Sequence, residues 1–270
     1  MSRQRAPQLI EHVGEASIRI GRDCVNMLSF VGELSAGIME AVKHPRKIRW
    51  KETLYYMDMC GSDALPIVML ICFLMGLILG FQAAVQMHKF GTDIFVADLV
   101  GLSIIKELGP LMVAMIATGR AGSAFAAEIG TMKVSEEIDA METMGFVPCR
   151  FLIMPKVIAM LLAIPILTIF GDIAGIFGGF VVGSLKLEIP AIAYYNRTVV
   201  ALTSANFLFG LIKSFVFAFL IAGVGCMRGF EARTDAQGVG RAATSAVVSA
   251  IFLVVVADAL LTILFSMVGQ

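Results

Sequence analysis

Five long apolar stretches dominate the pattern of the chain. They cover roughly residues 65–87, 96–119, 156–183, 204–227 and 243–268. A helix needs about 20 apolar residues to cross about 30 Å of hydrocarbon, and each stretch reaches that length. The pattern therefore predicts five transmembrane helices, of which the second and third are interrupted by charged residues and prolines.

The first 60 residues follow a different pattern. Between residues 8 and 40, apolar side chains recur at alternating steps of three and four residues, while charged side chains occupy the other faces. This spacing is typical of an amphipathic helix. A short coiled-coil seam is one interpretation, and a helix in the cytoplasmic membrane interface is favoured because a spanning domain follows directly. We therefore predict an N-terminal amphipathic region, residues 1–60, and a membrane domain, residues 61–270.

Composition agrees with the membrane assignment. The chain is 58% hydrophobic and 16% charged, whereas a soluble domain is about half apolar and about a quarter charged. Its 21 basic and 21 acidic residues give no net charge, so the basic surface of a nucleic-acid-binding protein is not expected. The N-terminus lacks the apolar core of a signal peptide, and no cleaved targeting signal is predicted. The fold class predicted is an all-α integral membrane protein.

The distribution of lysine and arginine predicts the orientation. Sixteen of them precede the first stretch or fall between stretches two and three or four and five, and three fall on the opposite side. Basic residues accumulate on the cytoplasmic side of membrane proteins. The N-terminus is therefore predicted in the cytoplasm and the C-terminus outside.

A segment between the second and third stretches ends in a short helical pattern. Its predicted N-cap, first-turn and C-terminal residues are Ser135, Glu136, Glu137 and Gly145. Its apolar side consists of Ile138, Met141 and Met144, with acidic side chains on the other faces. Acidic residues disfavour the anionic cytoplasmic leaflet. The helix is therefore predicted to bind a protein partner.

Two charged residues interrupt the second stretch. Lys106 and Glu107 stand side by side in SIIKELGPLMVAM. A charge in hydrocarbon is costly, so such side chains face a hydrated cavity or pair within the bundle. Both interpretations stay open, and the pairing interpretation names Lys213, Asp172 and Asp258 as partners.

The end of the first stretch offers polar groups to the same region. Leu79, Ala83, Gln86 and Phe90 fall on one helix face. Gln82 and Gln86 suit a partly hydrated cavity, and ordinary hydrogen bonding between helices explains each glutamine equally well.

Glycines recur at every fourth position of the third stretch. They are Gly171, Gly175, Gly179 and Gly183. A stripe of small residues lets another helix approach closely. Packing within one subunit and contact between two subunits both remain open for this stripe.

Motifs for chemistry are missing from the sequence. No GxxxxGK[ST] motif occurs, so nucleotide chemistry is not expected in this chain. The five cysteines form no CxxC pair and the three histidines are far apart, so no metal site is predicted. We therefore expect a protein that is not an enzyme by itself.

One segment carries a specific resemblance. KELGPLMVAMIATGRAGSAFAAEIGTMKVSEEIDAMETMG closely resembles the signature region of the MlaE/YrbE permease family. Members of this family are membrane subunits of ABC transporters that move phospholipids or related lipids in partnership with MCE-domain proteins. The similarity is densest over residues 76–180 and continues more loosely through LIKSFVFA and VADALLT.

The resemblance implies an architecture and a set of partners. A homodimer of five-span subunits in the bacterial inner membrane would enclose a phospholipid pocket that opens to the periplasm. Residues 128–145 would be a coupling helix docked on a cytoplasmic ATPase, which would bind ATP and Mg. A periplasmic MCE-domain protein would exchange lipid with the permease and so maintain outer-membrane lipid asymmetry.

The resemblance also assigns residues. The implied lipid-binding residues are Leu79, Gln82, Ala83, Gln86, Phe90, Lys106 and Glu107. The implied coupling residues are Glu128, Ser135, Glu136, Glu137, Ile138, Met141, Glu142 and Met144. Two positions depart from the family pattern, because Lys106 replaces a common arginine and Phe90 replaces a tyrosine. Losing the bidentate fork of arginine changes how a phosphate would be held.

Three alternative functions remain. Lys106, Glu107, Asp172, Lys213 and Asp258 suggest a proton relay in an ion-coupled secondary transporter, although no inverted repeat is detectable. A structural anchor that recruits a soluble partner is the second alternative. Sterol-type lipid import by a related MCE system is the third.

Overall fold

A computed structural model of the protein describes residues 49–268 and the isolated positions 32 and 39. The helix predicted between residues 8 and 40 lies outside the described residues apart from those two positions. From Arg49 onward the chain forms one compact unit. Every regular element between residues 49 and 268 is helical.

The first two spans are built from consecutive helices joined by π-helical turns. The first contains α1 (Trp50–Met57), a π turn (Asp58–Ser62) and α2 (Leu65–Lys89). The second begins with a 3₁₀ turn (Asp93–Phe95) and continues through α3 (Val96–Ser103), a π turn (Ile104–Leu108), α4 (Gly109–Ala117), a π turn (Thr118–Gly122) and α5 (Ser123–Val134). Pro110 stands in the first turn of α4, directly after the π turn, where the hydrogen-bond pattern of the backbone changes and the loss of one N–H is better tolerated than in a regular helix interior.

The remaining spans are longer single helices. A short helix α6 (Glu137–Thr143) and a π turn (Cys149–Ile153) lead into α7 (Met154–Lys186). A second short helix, α8 (Ala191–Ala201), precedes α9 (Ser204–Phe230) and α10 (Ala236–Val268). Because α6 and α8 flank α7, they lie at opposite ends of the bundle, here called the α6 end and the α8 end.

The prediction of five spans is confirmed for the described part of the chain. The helices long and apolar enough to cross a membrane are Trp50–Lys89, Asp93–Val134, Phe151–Lys186, Ser204–Phe230 and Ala236–Met267. The second span continues well beyond residue 119, because the π turn at Thr118–Gly122 keeps the backbone helical. The sequence patterns missed α8, which is too short to span and has no long apolar run.

The closest approach between helices joins α2 to α7. A Cβ atom on Gly76 would overlap the carbonyl oxygen of Gly175, and a Cβ on Gly178 would overlap that of Phe73. Farther along the stripe, a Cβ on Gly171 would lie 3.0 Å from Cys72 Sγ. A small-residue face is therefore what lets these two backbones touch.

The glycine stripe of α7 meets the same chain along its length. A Cβ on Gly183 would lie 2.8 Å from the Tyr194 ring, and a Cβ on Gly179 would lie 3.0 Å from the Tyr194 hydroxyl. Gly171 faces α2 and Gly183 faces α8, whereas Gly175 and Gly179 also contact Ile104 and Val100 of the second span. The structure therefore places all four predicted packing glycines in contacts within one subunit.

The Gly76→Ala variant tests this packing. The added methyl group meets a backbone carbonyl that cannot rotate away, so we expect the variant to lose about 1–3 kcal/mol of stability or more. Gly240→Ala is the matched control, because a Cβ on Gly240 meets nothing within 4 Å. Thermal unfolding in detergent should show a lower midpoint for Gly76→Ala only. Equal midpoints for the two variants would contradict the close contact.

Candidate functional site

The π turn at Ile104–Leu108 places Glu107 in a charged network inside the bundle. The Glu107 carboxylate forms an ion pair with the Lys213 ammonium group on α9. Lys213 Nζ also lies 2.8 Å from Asp258 Oδ1 and donates a hydrogen bond of 2.8 Å to Thr262 Oγ1. The Thr262 hydroxyl in turn donates to the Asp258 carbonyl oxygen at 2.8 Å. We call these four residues the Lys213 network.

Burial is uneven across the Lys213 network. The Lys213 side chain is 1% exposed, against 36% for Glu107 and 17% for Asp258. One ammonium group therefore serves two carboxylates that come from different helices. Removing the ammonium group leaves both acids unpaired. Removing one acid leaves Lys213 paired with the other acid. For Glu107, the structure thus realises the pairing with Lys213 that the sequence left open, and Asp258 shares the same ammonium group.

Lys106 is oriented away from its neighbour. Adjacent residues on a helix point about 100° apart, and Lys106 does not share the contacts of Glu107. Its side chain is half-buried, and within residues 49–268 it has neither a hydrogen bond nor an ion pair. The π turn therefore brings Glu107 to Lys213, whereas Lys106 has no partner among residues 49–268. π bulges of this kind are frequent at functional sites.

The predicted face of α2 divides into a packed part and an open part. Leu79 and Ala83 are half-buried against the α3 cluster of Val96, Val100 and Ile104. Gln82 and Gln86 are exposed and make no hydrogen bond with the described residues. Phe90, at the end of α2, is 76% exposed. The structure therefore leaves the two glutamines and Phe90 open.

The depth of these residues can be compared along α2. Leu79 packs beside Ile104 and Leu108, which bracket Lys106 in the chain. Phe90 lies eleven residues farther along the helix, so it is about 16 Å closer to the α8 end. The predicted lipid-binding residues are thus spread from the α8 end to the level of the Lys213 network.

Asp172 stands apart from the network. Its side chain is buried in α7, and its Oδ1 has no hydrogen-bond partner among the described residues. The nearest feature is Gly109, whose Cβ, if present, would overlap Asp172 Oδ1. Among residues 49–268, no hydrogen bond joins Asp172 or Lys106 to the Lys213 network. The five charges considered for a proton relay therefore do not form a connected path in this part of the chain.

The short helix α6 ends as predicted but begins differently. Gly145 has a positive φ of 81°, and the amides of Gly145 and Phe146 donate to the carbonyls of Glu142 and Met141. This is the Schellman arrangement of a helix C-terminus. Ser135, however, is not the N-cap: it ends α5, and its hydroxyl contacts the Thr131 carbonyl at 3.1 Å.

The N-cap of α6 is Glu136. Its φ of 59° lies in the left-handed region, which reverses the chain between α5 and α6 more sharply than an extended serine would. The Ser135 hydroxyl is also 2.8 Å from Glu137 Oε1, so it holds the first-turn acid by its side chain. The prediction of Ser135 as the N-cap is therefore wrong.

The apolar side of α6 is also divided. Ile138 is buried and Met141 half-buried against the same chain, whereas Met144 is 65% exposed. The predicted knob of Ile138, Met141 and Met144 therefore does not project as a unit. The exposed surface of this region, which we call the coupling surface, consists of Glu136, Glu137, Asp139, Glu142, Met144, Phe146 and Val147. Phe146 and Val147 were missed because the helical pattern stops at Gly145, although the apolar residues after it were the available signal.

Glu128 belongs to an internal cluster. It lies in α5, accepts a hydrogen bond of 2.6 Å from the Tyr56 hydroxyl and pairs with Lys156 Nζ at 3.0 Å. Lys156 is completely buried, and its Nζ lies 4.2 Å from the centre of the Tyr56 ring. Glu128 thus links α1, α5 and α7. Its carboxylate is already engaged, which sets it apart from the coupling surface.

Comparison with known proteins identifies relatives over most of the chain. The family model described as permease MlaE matches residues 53–264. A probable ABC transporter permease protein of Rickettsia prowazekii is 39% identical over 205 residues, which cover 76% of this chain and 79% of the relative.

Two further relatives have more specific names. The intermembrane phospholipid transport system permease protein MlaE of Haemophilus influenzae is 32% identical over 207 residues, covering 76% of this chain and 79% of that protein. The chloroplastic protein TRIGALACTOSYLDIACYLGLYCEROL 1 of Arabidopsis thaliana is 32% identical over 219 residues, covering 81% of this chain and 63% of that protein.

Proposed function

The chain belongs to the MlaE permease family, and on that premise we propose that it moves phospholipid as the permease subunit of an ABC transporter. Phospholipid would pass between the inner membrane and a periplasmic MCE-domain partner, and this exchange would maintain outer-membrane lipid asymmetry. The name of the Haemophilus influenzae relative supports phospholipid as the class of cargo.

The observation that carries this proposal is Lys106, which is half-buried and has no partner among the described residues. An ammonium group inside a span costs several kcal/mol unless it is paired or hydrated. Within the described residues Lys106 has no acidic partner, and the neighbouring Glu107 is held by Lys213. The phosphate of a phospholipid would supply the missing negative charge and accept hydrogen bonds from the ammonium group.

The open residues of α2 fit the remainder of such a ligand. Gln82 and Gln86 offer amide groups between the level of Lys106 and that of Phe90. The distance of about 16 Å between those levels is comparable to an extended acyl chain. A lipid with its phosphate at Lys106 would extend its chains along Leu79 and Ala83 toward Phe90.

The proposal requires further subunits. A single five-span chain offers half of a pathway, and a second copy related by a two-fold axis would complete it. ATP and Mg would be bound by a cytoplasmic ATPase that docks on the coupling surface. In this arrangement the N-terminus and the α6 end are cytoplasmic, and the C-terminus and the α8 end are periplasmic, as the distribution of basic residues predicts.

The coupling surface is tested by one variant that reverses a charge and one that introduces a charge. Glu142→Lys and Met144→Asp change exposed side chains on this surface, so we expect both to lose most of the ATPase that co-purifies with the membrane subunit. The fold should survive because neither side chain is buried. Pull-down from native membranes, with quantitation of the ATPase and of the MCE-domain protein, is the measurement.

Glu188→Lys is the matched control for this experiment. It reverses the same charge on an exposed residue at the α8 end and should leave the ATPase bound. Wild-type amounts of ATPase with both Glu142→Lys and Met144→Asp would exclude the coupling surface as the docking site.

A further inference from the structure

The short helix α8 has two unlike faces. Tyr194 and Thr198 are buried against the bundle. The opposite face carries the exposed side chains Ile192, Tyr195, Asn196, Val199 and Val200, with Ile192 76% and Val200 74% exposed. Asparagine and the tyrosine hydroxyl are the polar groups of that face. An apolar surface of this kind needs a nonaqueous neighbour.

The inner face of α8 contacts residues that lie inside the third span, well before the end of that span. Near its start, the Tyr194 ring contacts α7 at Gly183 and its hydroxyl reaches Gly179. Gly179 is seven residues before the end of α7 at Lys186, which is about 10 Å along the helix axis. The N-terminal half of α8 therefore lies beside the last turns of α7.

The C-terminal end of α8 also contacts a residue well inside a span. Thr198 and Leu202 pack on Gly101, with their side-chain carbons 3.6 Å and 3.5 Å from a Cβ placed there. Gly101 lies eight residues into the second span, which begins at Asp93, or about 12 Å along its axis. Because both of its ends contact glycines inside the spans, α8 lies alongside the bundle rather than beyond it.

A series of aromatic rings connects the inner face of α8 to the exposed surface of α7. The Tyr194 ring is 5.4 Å from Phe180, and Phe180 is 6.2 Å from Phe177. Phe177 is itself exposed on the third span. The apolar surface of that span therefore runs up to the helix.

The charge on α8 is half-exposed and paired with α3. Arg197 is its one charged residue, and Nε and Nη2 both donate to Asp98 Oδ2, at 2.9 Å and 2.6 Å. Its guanidinium group also lies 4.6 Å from the centre of the Phe95 ring. The Arg197 side chain is 36% exposed, but Asp98 neutralises its charge, so α8 offers no unpaired charge to a water-soluble protein partner. Aliphatic residues with one tyrosine are instead typical of helices in the membrane interface.

We propose that α8 is embedded in the membrane leaflet at its end of the bundle, with Ile192, Tyr195, Val199 and Val200 in contact with lipid. The helix is 11 residues long, or about 16 Å, and too short to cross the bilayer. Within the leaflet it packs against α3 and α7, and the ion pair between Asp98 and Arg197 joins it to α3. This arrangement does not depend on the identity of the transported lipid.

Tryptophan fluorescence distinguishes lipid from water and from protein at this face. The chain has one tryptophan, Trp50, so a Trp50→Phe background can receive Ile192→Trp or Val200→Trp as its sole tryptophan. The full-length variants are reconstituted in phosphatidylcholine vesicles, with or without bromine on the acyl chains, and iodide is added from the water. A Thr234→Trp variant, in the exposed turn before α10, is the aqueous control.

Both α8 variants are expected to lose most of their emission in brominated vesicles and to resist iodide, while Thr234→Trp does the reverse. Two positions are used so that a folding defect in one variant leaves the other to decide. Quenching by iodide alone would overturn the proposal and leave the face to a soluble partner. Resistance to both quenchers would also overturn it, because the face would then be covered by protein, such as a second copy of the chain.

Discussion

Replacing Lys213 by methionine is expected to cause the largest loss of stability of any single change in the membrane domain. The methionine keeps the length of the side chain but removes the ammonium group that pairs with Glu107 and Asp258. Breaking a buried ion pair by removing one partner costs about 3–5 kcal/mol, because an uncompensated charge remains in a poorly solvated site. Here two carboxylates would lose their shared partner at once.

Glu107→Gln is the graded comparison for this prediction. It leaves Lys213 paired with Asp258. The neutral amide can keep the contact with the Thr262 hydroxyl, whose oxygen lies 3.2 Å from Glu107 Oε1. Glu107 is also the more exposed partner, so water replaces part of what is lost. We expect Lys213→Met to reduce the detergent-extracted, monodisperse fraction and the unfolding midpoint strongly, and Glu107→Gln to reduce them only slightly.

A triple variant separates lost pairing from lost packing. Lys213→Met combined with Glu107→Gln and Asp258→Asn removes every formal charge from the network and should recover most of the stability. Replacement of a whole buried ionic cluster by neutral groups is often neutral or stabilising. A Lys213→Met variant as stable as wild type would refute the structural role of the network, and a triple variant as unstable as Lys213→Met would attribute the loss to packing instead.

The five spans were predictable because hydrocarbon imposes a length and a composition on any helix that crosses it. The direction in which each charge points was not. Lys106 and Glu107 are neighbours in sequence, and only the π turn and the positions of α9 and α10 decide that Glu107 meets Lys213. This pair joins residues 106 positions apart, and no local pattern encodes it.

The contacts of charged residues near the span ends were equally hard to predict from the sequence. Lys156 falls at the start of an apolar stretch and resembles an ordinary flanking charge, yet it is completely buried against Tyr56 and Glu128. Glu128 was assigned to coupling by resemblance, because its place in the signature segment says nothing about Tyr56 on α1. The contacts of both residues join helices far apart in the sequence, which no local pattern reveals.

Helix boundaries depended on single backbone conformations. Gly145 was predictable as the end of α6, because glycine adopts a positive φ at little cost. Glu136 takes a similar conformation without being glycine, and nothing in its side chain announces it. Likewise α8 is only 11 residues long, and Tyr195 and Asn196 stand among the aliphatic residues of its exposed face, so no long apolar run marks it in the sequence.

Removing the charge of Lys106 is expected to lower the affinity for phospholipid and leave the stability unchanged, whereas removing that of Lys213 lowers the stability. Lys106 has no partner among the described residues, so Lys106→Met should fold and unfold as wild type does. If its ammonium group holds a lipid phosphate, the variant loses a charged hydrogen bond of about 1.5–3 kcal/mol. Affinity for phospholipid should then fall about tenfold to a hundredfold.

Bound phospholipid, counted by native mass spectrometry of the purified complex, is the measurement for Lys106. Lys106→Arg should retain lipid, because guanidinium adds a planar, bidentate donor for phosphate. Lys51→Met, which removes an exposed lysine on α1, is the control for loss of a positive charge alone. If Lys106→Met keeps the lipid occupancy of wild type while its unfolding midpoint falls, Lys106 stabilises the bundle through contacts with another subunit, and the phosphate of the cargo is held elsewhere.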